Sequence, residues 1–228
     1  MLRLIFLRKI LAYKTATFHT QNRWQQAKKN QNLKENHITY YDNYLKLFSD
    51  ATSEELAILR SELTIKEYRK KEFFFESGQI QKNMGYVCKG LLRRYYINDK
   101  GNKITTGFVK ENEYATDYPA FIRQKPTKYF MECLEPSIII ELSYEKIQDG
   151  YNRFKNNEKY GRLTAEYVLT VQTDRVESFL FENAEERYLN FIEKNKDIIN
   201  RISLSHLASY LGIERQSLSR IRSKIAKN

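Results

Sequence analysis

The C-terminal end of the chain carries hydrogen-bonding side chains at helical spacing. If a helix begins near Glu214, the apolar residues Leu218, Ile221 and Ile225 share one face of it. The opposite face then presents mainly donors. Arginine can donate two hydrogen bonds to guanine, and glutamine can pair in the same bidentate way with adenine. We therefore predict that this face contacts the base edges of nucleic acid, through Arg215, Gln216, Ser217, Ser219 and Arg220.

The residues before this helix predict a shorter helix and a tight turn. Leu204, Leu207 and Leu211 recur at helical spacing, and the small Ala208 lets a neighbouring helix approach closely. Gly212 can supply the positive φ of the turn. Two helices joined in this way form a helix-turn-helix, whose second helix enters the major groove of DNA. The alternative is a solvated basic face on a three-helix bundle. Contacts to phosphate are expected from Ser203, Ser205, Arg222 and Lys224.

The middle of the chain has the composition of a strand-rich domain. Residues 53–63 have the spacing of a short amphipathic helix with Ser53 at its N-cap. Turn residues at 98–101 are typical of a hairpin connection. Many short strands separated by turns indicate a sandwich or barrel. The runs rich in β-branched and aromatic residues, which predict strands, are 72–75, 86–90, 91–97, 103–109, 128–134 and 137–142.

A long helix is predicted between the strands and the helix-turn-helix. Residues 157–183 contain no proline, and their apolar side chains occupy more than one helical face. Packing on the strand-rich domain explains one face, and a second copy of the chain best explains the other. A shorter amphipathic helix follows at 184–195, with Tyr188, Phe191 and Ile192 directed inward.

The charge of the chain is concentrated at its two ends. Lys and Arg outnumber Asp and Glu by 39 to 28. Residues 1–36 hold eight basic residues and one acidic residue, and residues 201–228 hold six and one. Basic ends favour polyanionic partners. No apolar run is long enough to span a membrane. Residues 21–36 are polar, and their apolar residues do not recur at the spacing of a buried helix or strand, so we predict that residues 1–36 form a disordered basic extension. The alternative is a basic arm that binds a membrane surface or nucleic acid.

Constellations of residues for catalysis or metal binding are missing from the sequence. The three histidines, His19, His37 and His206, lie outside the predicted strands, so a metal-dependent barrel enzyme is not expected. Cys88 and Cys133 fall in predicted strands, where a buried role is commoner than a redox role. The chain also lacks a phosphate loop, a dinucleotide fingerprint and a serine nucleophile elbow. We predict no enzymatic activity, no cofactor and no metal.

Residues 38–226 resemble the Crp/Fnr family of bacterial transcription regulators. The resemblance depends on the order of the parts and on the strings EFFFESGQ, YVCKGLLRRYYINDKGNKI and AEERYLNFIEKNKDIINRISLSHLASYLGIERQSLSRIR. It implies an α+β fold with an N-terminal cyclic-nucleotide-binding-like β-roll, a long dimerisation helix and a C-terminal helix-turn-helix domain. The implied boundaries are 1–36 for the extension, 37–155 for the roll, 156–183 for the dimerisation helix and 184–228 for the DNA-binding domain.

The family's recognition helix contacts bases through an Arg, a Glu and a second Arg four residues after the Glu. Arg215 and Arg220 match this pattern, whereas Gln216 replaces the Glu. Because Glu accepts a hydrogen bond from cytosine and Gln pairs with adenine, the half-site is expected to differ from the family's consensus.

The effector loop, residues 112–130, departs further from the family. Cyclic-nucleotide binders carry a motif resembling FGEL followed by Arg-Ser/Thr-Ala. Here Thr116 replaces the glycine, Asp117 the Glu and Thr127 the Arg, with Lys128 beside it. Loss of the Arg removes a charge-assisted bond to phosphate, so we predict a degenerate effector pocket that does not bind cyclic AMP. The alternative is that Arg123 or Lys128 reaches the phosphate. The cysteine cluster of oxygen-sensing relatives is also absent, which implies no iron–sulfur cluster.

The resemblance and the residues together predict a cytoplasmic homodimer that binds a palindromic site in double-stranded DNA. Its recognition helix would span about 214–226, and RNA polymerase would be a further partner. One alternative is a small-ligand sensor whose basic C-terminus contacts a protein partner. Another is a barrel enzyme that acts on a small anion.

Overall fold

A computed structural model describes residues 37–226 of the chain. The chain divides into two units, residues 1–49 and 50–228. In the first unit, residues 37–45 are helical, and the rings of Tyr44 and Phe48 make an edge-on contact at 5.3 Å. The predicted extension at 1–36 lies outside the described residues. No helix within 37–226 is long and apolar enough to cross a membrane.

The strands of the second unit form two antiparallel four-stranded sheets, in the orders β1-β8-β3-β6 and β2-β7-β4-β5. Neighbouring strands are therefore mostly distant in sequence, except for the β4–β5 hairpin. The turn of that hairpin is held by Asn98, whose Oδ1 accepts hydrogen bonds from the backbone N–H groups of Lys100 and Asn102. The strands are β1 (Thr64–Tyr68), β2 (Phe73–Phe75), β3 (Asn83–Lys89), β4 (Leu92–Ile97), β5 (Lys103–Val109), β6 (Tyr114–Ala115), β7 (Phe130–Cys133) and β8 (Ser137–Ser143).

The two sheets pack around one apolar core. Val87 and Ile139 from the first sheet and Leu92 and Met131 from the second are fully buried in the same cluster. Burial of such side chains stabilises the fold by roughly 1.5–3 kcal/mol each. The sheets thus form the predicted β-roll.

The helices surround and follow the roll. The N-cap prediction at Ser53 is wrong: Thr52 is the N-cap, and its hydroxyl and the Glu55 carboxylate form a capping box. Because Thr52 already satisfies a first-turn donor, the helix begins at Ser53, one residue earlier than expected. The helices are α1 (Ser53–Glu62), α2 (Tyr118–Arg123), α3 (Tyr144–Arg153), α4 (Lys155–Phe181), α5 (Ala184–Lys194), α6 (Leu204–Leu211) and α7 (Arg215–Ile225), with a 3₁₀ turn at Ile199–Arg201.

The C-terminal helices share a second core with the roll. Leu91 and the partly buried Phe108 of the roll belong to the same cluster as Leu207 and Leu218 of α6 and α7. Polar contacts reinforce the junction, because the backbone N–H of Thr105 donates to the Ser209 hydroxyl at 2.9 Å. The order of roll, long helix and C-terminal helices confirms the predicted α+β fold class. The domain boundaries stay predictions.

Candidate functional site

The turn between α6 and α7 has the predicted geometry. Gly212 adopts φ 71° and ψ 31°, a left-handed conformation that ends α6. The backbone N–H of Ile213 donates to the carbonyl of Ala208 at 3.1 Å. Leu211 and Leu218 are both buried, so α7 packs back onto α6. The predicted helix-turn-helix is therefore present.

Two arginines hold the C-terminal end of α6. Arg175 of α4 donates to the carbonyl of Tyr210, and Nε of Arg187 donates to the carbonyl of Leu211 at 3.1 Å. The Phe179 ring lies between them, 4.2 Å from the Arg175 guanidinium and 4.9 Å from that of Arg187. Cations at a helix C-terminus satisfy its free carbonyls and offset the negative end of its dipole. The helix-turn-helix is thereby fixed against the long helix.

The outer face of α7 carries the predicted base-contacting residues. Four of these five side chains are exposed, and Ser217 is half-buried. The Ser219 hydroxyl donates to the carbonyl of Arg215 at 3.1 Å, which leaves its oxygen free to accept. The N-cap, Glu214, makes no side-chain hydrogen bond to the first turn. The exposed side chains of α7 can therefore approach a groove from one direction.

The predicted phosphate-contacting residues lie near both ends of the helix-turn-helix. Ser203 is the N-cap of α6 and accepts a hydrogen bond from the backbone N–H of His206 at 3.2 Å. Ser205 and Arg222 are exposed. Lys224 already pairs with Glu185 of α5 at 2.7 Å. A phosphate contact by Lys224 would therefore require exchange of this carboxylate for phosphate.

The effector loop forms a closed polar network at the buried end of α2. Thr127 donates to Oδ2 of Asp117 at 2.6 Å, and both side chains are buried. The side-chain oxygen of Gln81 accepts a hydrogen bond from the backbone N–H of Asp117 at 3.0 Å and lies 3.4 Å from the Thr116 hydroxyl. Sequence analysis missed Gln81, which lies outside the family's motif. Three predicted pocket residues, Thr116, Asp117 and Thr127, are thus brought together.

The two cationic residues of the predicted pocket lie apart from this network. Arg123 is exposed at the last turn of α2. Lys128 is also exposed, and its ammonium lies 5.6 Å from the Tyr129 ring centroid. Neither side chain enters the buried Asp117–Thr127 pair.

Two half-buried arginines lie between the roll and the long helix, beside Thr116 of the effector loop. Arg94 of β4 and Arg175 of α4 line a cavity of about 150 Å³, which we call the arginine cavity. Phe108, Tyr167 and Tyr210 contribute aromatic walls from β5, α4 and α6. Sequence analysis missed both arginines. Arg94 lies in a run whose aromatic neighbours predict only a strand, and Arg175 lies in a helix analysed only for its apolar residues.

The donor set does not fit an iron–sulfur cluster, which is held by four cysteine thiolates. Burial raises the pKa of both Cys88 and Cys133 to about 11, which disfavours the thiolate that a metal requires. Within residues 37–226, no group of three or more His, Cys, Asp or Glu side chains is arranged to hold a metal ion.

A two-sheet roll joined by a long helix to a helix-turn-helix defines a class of protein in which a ligand-binding type of domain is coupled to a DNA-binding one. Residues 65–154 match the family model of the cyclic nucleotide-binding domain. The fumarate and nitrate reduction regulatory protein of Escherichia coli is 23% identical over 177 residues, covering 72% of this chain and 69% of the relative. Together with the fold, these matches support a transcriptional regulator of the Crp/Fnr family.

Solved structures share the architecture at low sequence identity. FixK2 from Bradyrhizobium japonicum superposes with a TM-score of 0.65 at 14% identity, covering 72% of this chain and 85% of the other. A Crp/Fnr family regulator from Eubacterium rectale gives a TM-score of 0.63 at 16% identity, covering 78% and 85%. At these identities the likeness shows the fold alone.

Proposed function

We propose that this chain is a sequence-specific transcriptional regulator that inserts α7 into the major groove of duplex DNA. The observation that carries the proposal is the exposed face of α7, where Arg215, Gln216 and Arg220 project from a helix whose opposite side is anchored by the buried Leu218. A basic, donor-rich face on the second helix of a helix-turn-helix suits the acceptor pattern of the major groove.

The three polar side chains have different partners in this proposal. Arg215 and Arg220 would each donate two hydrogen bonds to O6 and N7 of a guanine, and Gln216 would pair with an adenine. Replacing either arginine by alanine is expected to cost about 1–3 kcal/mol and to relax specificity at one base pair. The hydroxyls of Ser217 and Ser219 can donate or accept a hydrogen bond, so they would add contacts to either base.

The direct test is selection of bound duplexes from a random DNA pool by the purified full chain. We expect enrichment of a palindrome whose half-sites lie about one helical turn apart, near 34 Å. The Arg215→Ala/Arg220→Ala double variant should lose the enrichment. Arg69→Ala is the matched control, because Arg69 is also a strongly exposed arginine but lies beyond the end of β1 on the roll.

The outcome decides between the proposal and its main alternative. Unchanged enrichment by the double variant would show that α7 is not the recognition helix. If the pool gives no enriched sequence and DNA affinity does not fall with salt, the basic C-terminus serves another partner, as in a ligand sensor that docks onto a protein.

We further propose that the regulator is a homodimer through α4. Leu169, Val176 and Leu180 are 68%, 58% and 71% exposed, and their spacing of seven and four residues places them on one stripe of the helix. The same stripe of a second copy would cover them in an isologous contact, which suits a palindromic site.

Light scattering of the eluting protein tests the dimer. The Leu169→Glu/Leu180→Glu variant should elute as a monomer, because like charges would face each other across the two-fold axis. Ile97→Glu, at an exposed apolar residue of the β4–β5 hairpin, should stay a dimer. A dimeric double variant would place the interface elsewhere.

Cyclic AMP is not the effector in this proposal. In support of this, Thr127, which stands where the family motif has its phosphate-binding arginine, carries no charge and donates its hydroxyl hydrogen bond to the buried Asp117. Cyclic AMP should therefore change neither the thermal midpoint nor the affinity for the selected DNA, and a saturable change in either would refute this part. A regulator of this kind would act in the bacterial cytoplasm, together with RNA polymerase.

A further inference from the structure

The position of α7 depends on the C-terminal end of α6. Helix α6 ends at Leu211, Gly212 makes the turn, and α7 begins at Arg215. Only three residues separate the two helices, and the buried Leu218 packs α7 back onto α6. A displacement of the last turn of α6 is therefore passed directly to α7.

One guanidinium joins two helix ends at this point. Nη1 of Arg187 donates to the carbonyl of Glu182 at 2.5 Å, and Nε of the same side chain donates to the carbonyl of Leu211 at 3.1 Å. Glu182 is the C-cap of α4, and Leu211 is the last residue of α6. Because the donors of a guanidinium have a fixed planar arrangement, the two carbonyls are held at a fixed separation. Arg187 thereby ties the end of α6 to the end of the long helix.

The junction between α4 and α5 is itself restrained by side chains. The Glu182 carboxylate accepts hydrogen bonds from the Ser178 hydroxyl at 2.9 Å and from the Asn190 amide at 2.7 Å. One residue later, Asn183 caps α5 in a capping box with Glu186. These bonds restrain the angle between α4 and α5, so the guanidinium that joins the two helix ends projects from a fixed support.

The roll holds a different part of the C-terminal region. Arg201, in the 3₁₀ turn before α6, pairs with Glu111 at 2.8 Å and with Glu135 at 2.6 Å. Both carboxylates belong to loops of the roll. These ion pairs attach the segment that precedes α6, whereas Arg187 attaches its C-terminal end. The two attachments can therefore be removed separately.

The spacing of two DNA half-sites corresponds to small displacements of this helix end. A helical turn of about 10 base pairs spans about 34 Å, so one added base pair separates the half-sites by about 3.4 Å and rotates them by about 36°. In a two-fold dimer each copy takes half of this change, about 1.7 Å and about 18°. A shift of about 1.7 Å along the bond from Arg187 to Leu211 would break it, so the intact bridge opposes a change of spacing.

We propose that Arg187 is a positioning residue that sets which half-site spacing the dimer accepts. It acts through Glu182 and Leu211, because it holds α6, and hence α7, in a fixed place relative to the helix where the two copies meet. The inference rests on the proposed function and on the proposed dimer through α4. It adds a division of roles, in which α7 reads the sequence of a half-site and a residue of α5 sets the distance between the two half-sites.

Duplexes of altered spacing test the proposal. The palindrome selected by the wild type is rebuilt with one base pair added or removed at its centre, and fluorescence anisotropy gives the affinity of the full chain for each duplex. We expect the wild type to bind the selected spacing about tenfold more tightly than either neighbour. Arg187→Met should reduce this preference to less than about threefold, while selection from a random pool returns the same half-site sequence. A preference that Arg187→Met leaves unchanged would overturn the proposal.

Arg201→Met is the matched control, because it removes another bridging arginine, one that attaches the same region to the roll. It should keep the wild-type spacing preference. Equal relaxation by both variants would show that docking as a whole sets the spacing, and would overturn the role of Arg187.

A conservative variant covers the case in which Arg187→Met does not fold. Arg187→Lys keeps a positive charge near the two carbonyls but lacks the planar guanidinium that spans them. Its spacing preference should lie between those of the wild type and Arg187→Met, and circular dichroism checks that each variant is folded. A wild-type preference in Arg187→Lys would refute the argument from the guanidinium.

A distance measurement tests the positioning without DNA. A nitroxide at Ser223→Cys, an exposed position of α7, reports the separation of the two α7 helices by pulsed electron paramagnetic resonance. We expect one narrow distribution in the otherwise wild-type chain and in Arg201→Met, and a distribution about twofold broader in Arg187→Met. The chain without Ser223→Cys corrects for labelling of the native cysteines. Equal widths would overturn the proposal, and the absence of any distance between copies would refute the dimer on which it depends.

The two experiments keep this inference distinct from the proposed function. If the wild type selects no DNA sequence, the proposed function fails, and the widths of the distance distributions alone decide whether Arg187 positions α7. If the wild type selects a palindrome and Arg187→Met discriminates between spacings equally well, only the inference fails.

Discussion

Replacing Gly212 by alanine should destabilise the helix-turn-helix for two separable reasons. The first is conformational, because φ is 71° at this residue and a side chain in the left-handed region costs about 1–2 kcal/mol. The second is steric, because a Cβ built at Gly212 lies 2.8 Å from Cε1 of Phe179. That ring is packed between Arg175 and Arg187 and cannot move freely, so overpacking adds about 1–3 kcal/mol.

Gly101 provides a control that isolates the first cost. Its φ of 78° is nearly the same, but a Cβ there meets nothing within 4 Å. Gly101→Ala should therefore show the conformational cost alone. For a chain of this length, about 1 kcal/mol lowers the thermal midpoint by about 2–4 °C. We expect the midpoint of Gly212→Ala to lie below that of Gly101→Ala by at least this amount in a calorimetric scan.

A double-mutant cycle assigns the difference to Phe179. In a Phe179→Leu background the steric cost should largely disappear, so that Gly212→Ala costs no more than Gly101→Ala does. Equal midpoints for the two glycine variants in the wild-type background would refute the steric argument. An undiminished cost in the Phe179→Leu background would show that the contact partner is not this ring.

Three further outcomes follow from charges and buried thiols. Glu185→Gln should release Lys224 from its ion pair and strengthen binding to all DNA sequences alike. Lys224→Ala should weaken binding to all sequences alike. Fluorescence anisotropy at several salt concentrations measures both effects. Partial burial alone would raise the pKa of Glu111, but hydrogen bonds from Arg201 lower it overall. The Glu111–Arg201 pair therefore stabilises the fold at neutral pH, and this contribution is lost as the pH falls through the lowered pKa. Arg201→Met should flatten that acid-side decrease in urea stability. Cys88, with its pKa raised to about 11, should react slowly with a thiol reagent at neutral pH until the chain unfolds.

The sequence predicted the elements whose physical requirements are local. The turn depends on one left-handed residue, and the two helices around it depend on apolar spacing, so Gly212 and Leu218 suffice to predict the helix-turn-helix. The long helix is also correct within two residues at each end, because residues 157–183 contain no proline and begin after the last strand-like run.

Elements stabilised by distant partners were not predicted. Strand β1 has only two half-buried residues, Ile65 and Tyr68, and no buried one, and it forms because it pairs with β8, whose residues 137–141 come much later in the chain. Lys66 and Tyr68 both contact the Glu141 carboxylate, at 2.8 and 2.6 Å, which satisfies a buried acid that the sequence left without a partner. These contacts exist only because β1 pairs with β8, so they cannot be predicted from the β1 segment alone.

The charged residues of the candidate effector site show the same limit. Comparison with the family motif directs attention to residues 112–130. There, Thr127 replaces the motif's arginine, which suggests only that a phosphate-binding residue has been lost. In the folded chain, Arg94 on β4 and Arg175 on α4 are half-buried and face one cavity between the roll and α4. Neither position is unusual within its own segment, because an arginine in an aromatic strand or on a long helix is commonly a solvated residue. Only the packing of α4 against the roll shields both arginines in part from water, and the cavity that they line also includes Thr116 of the effector loop.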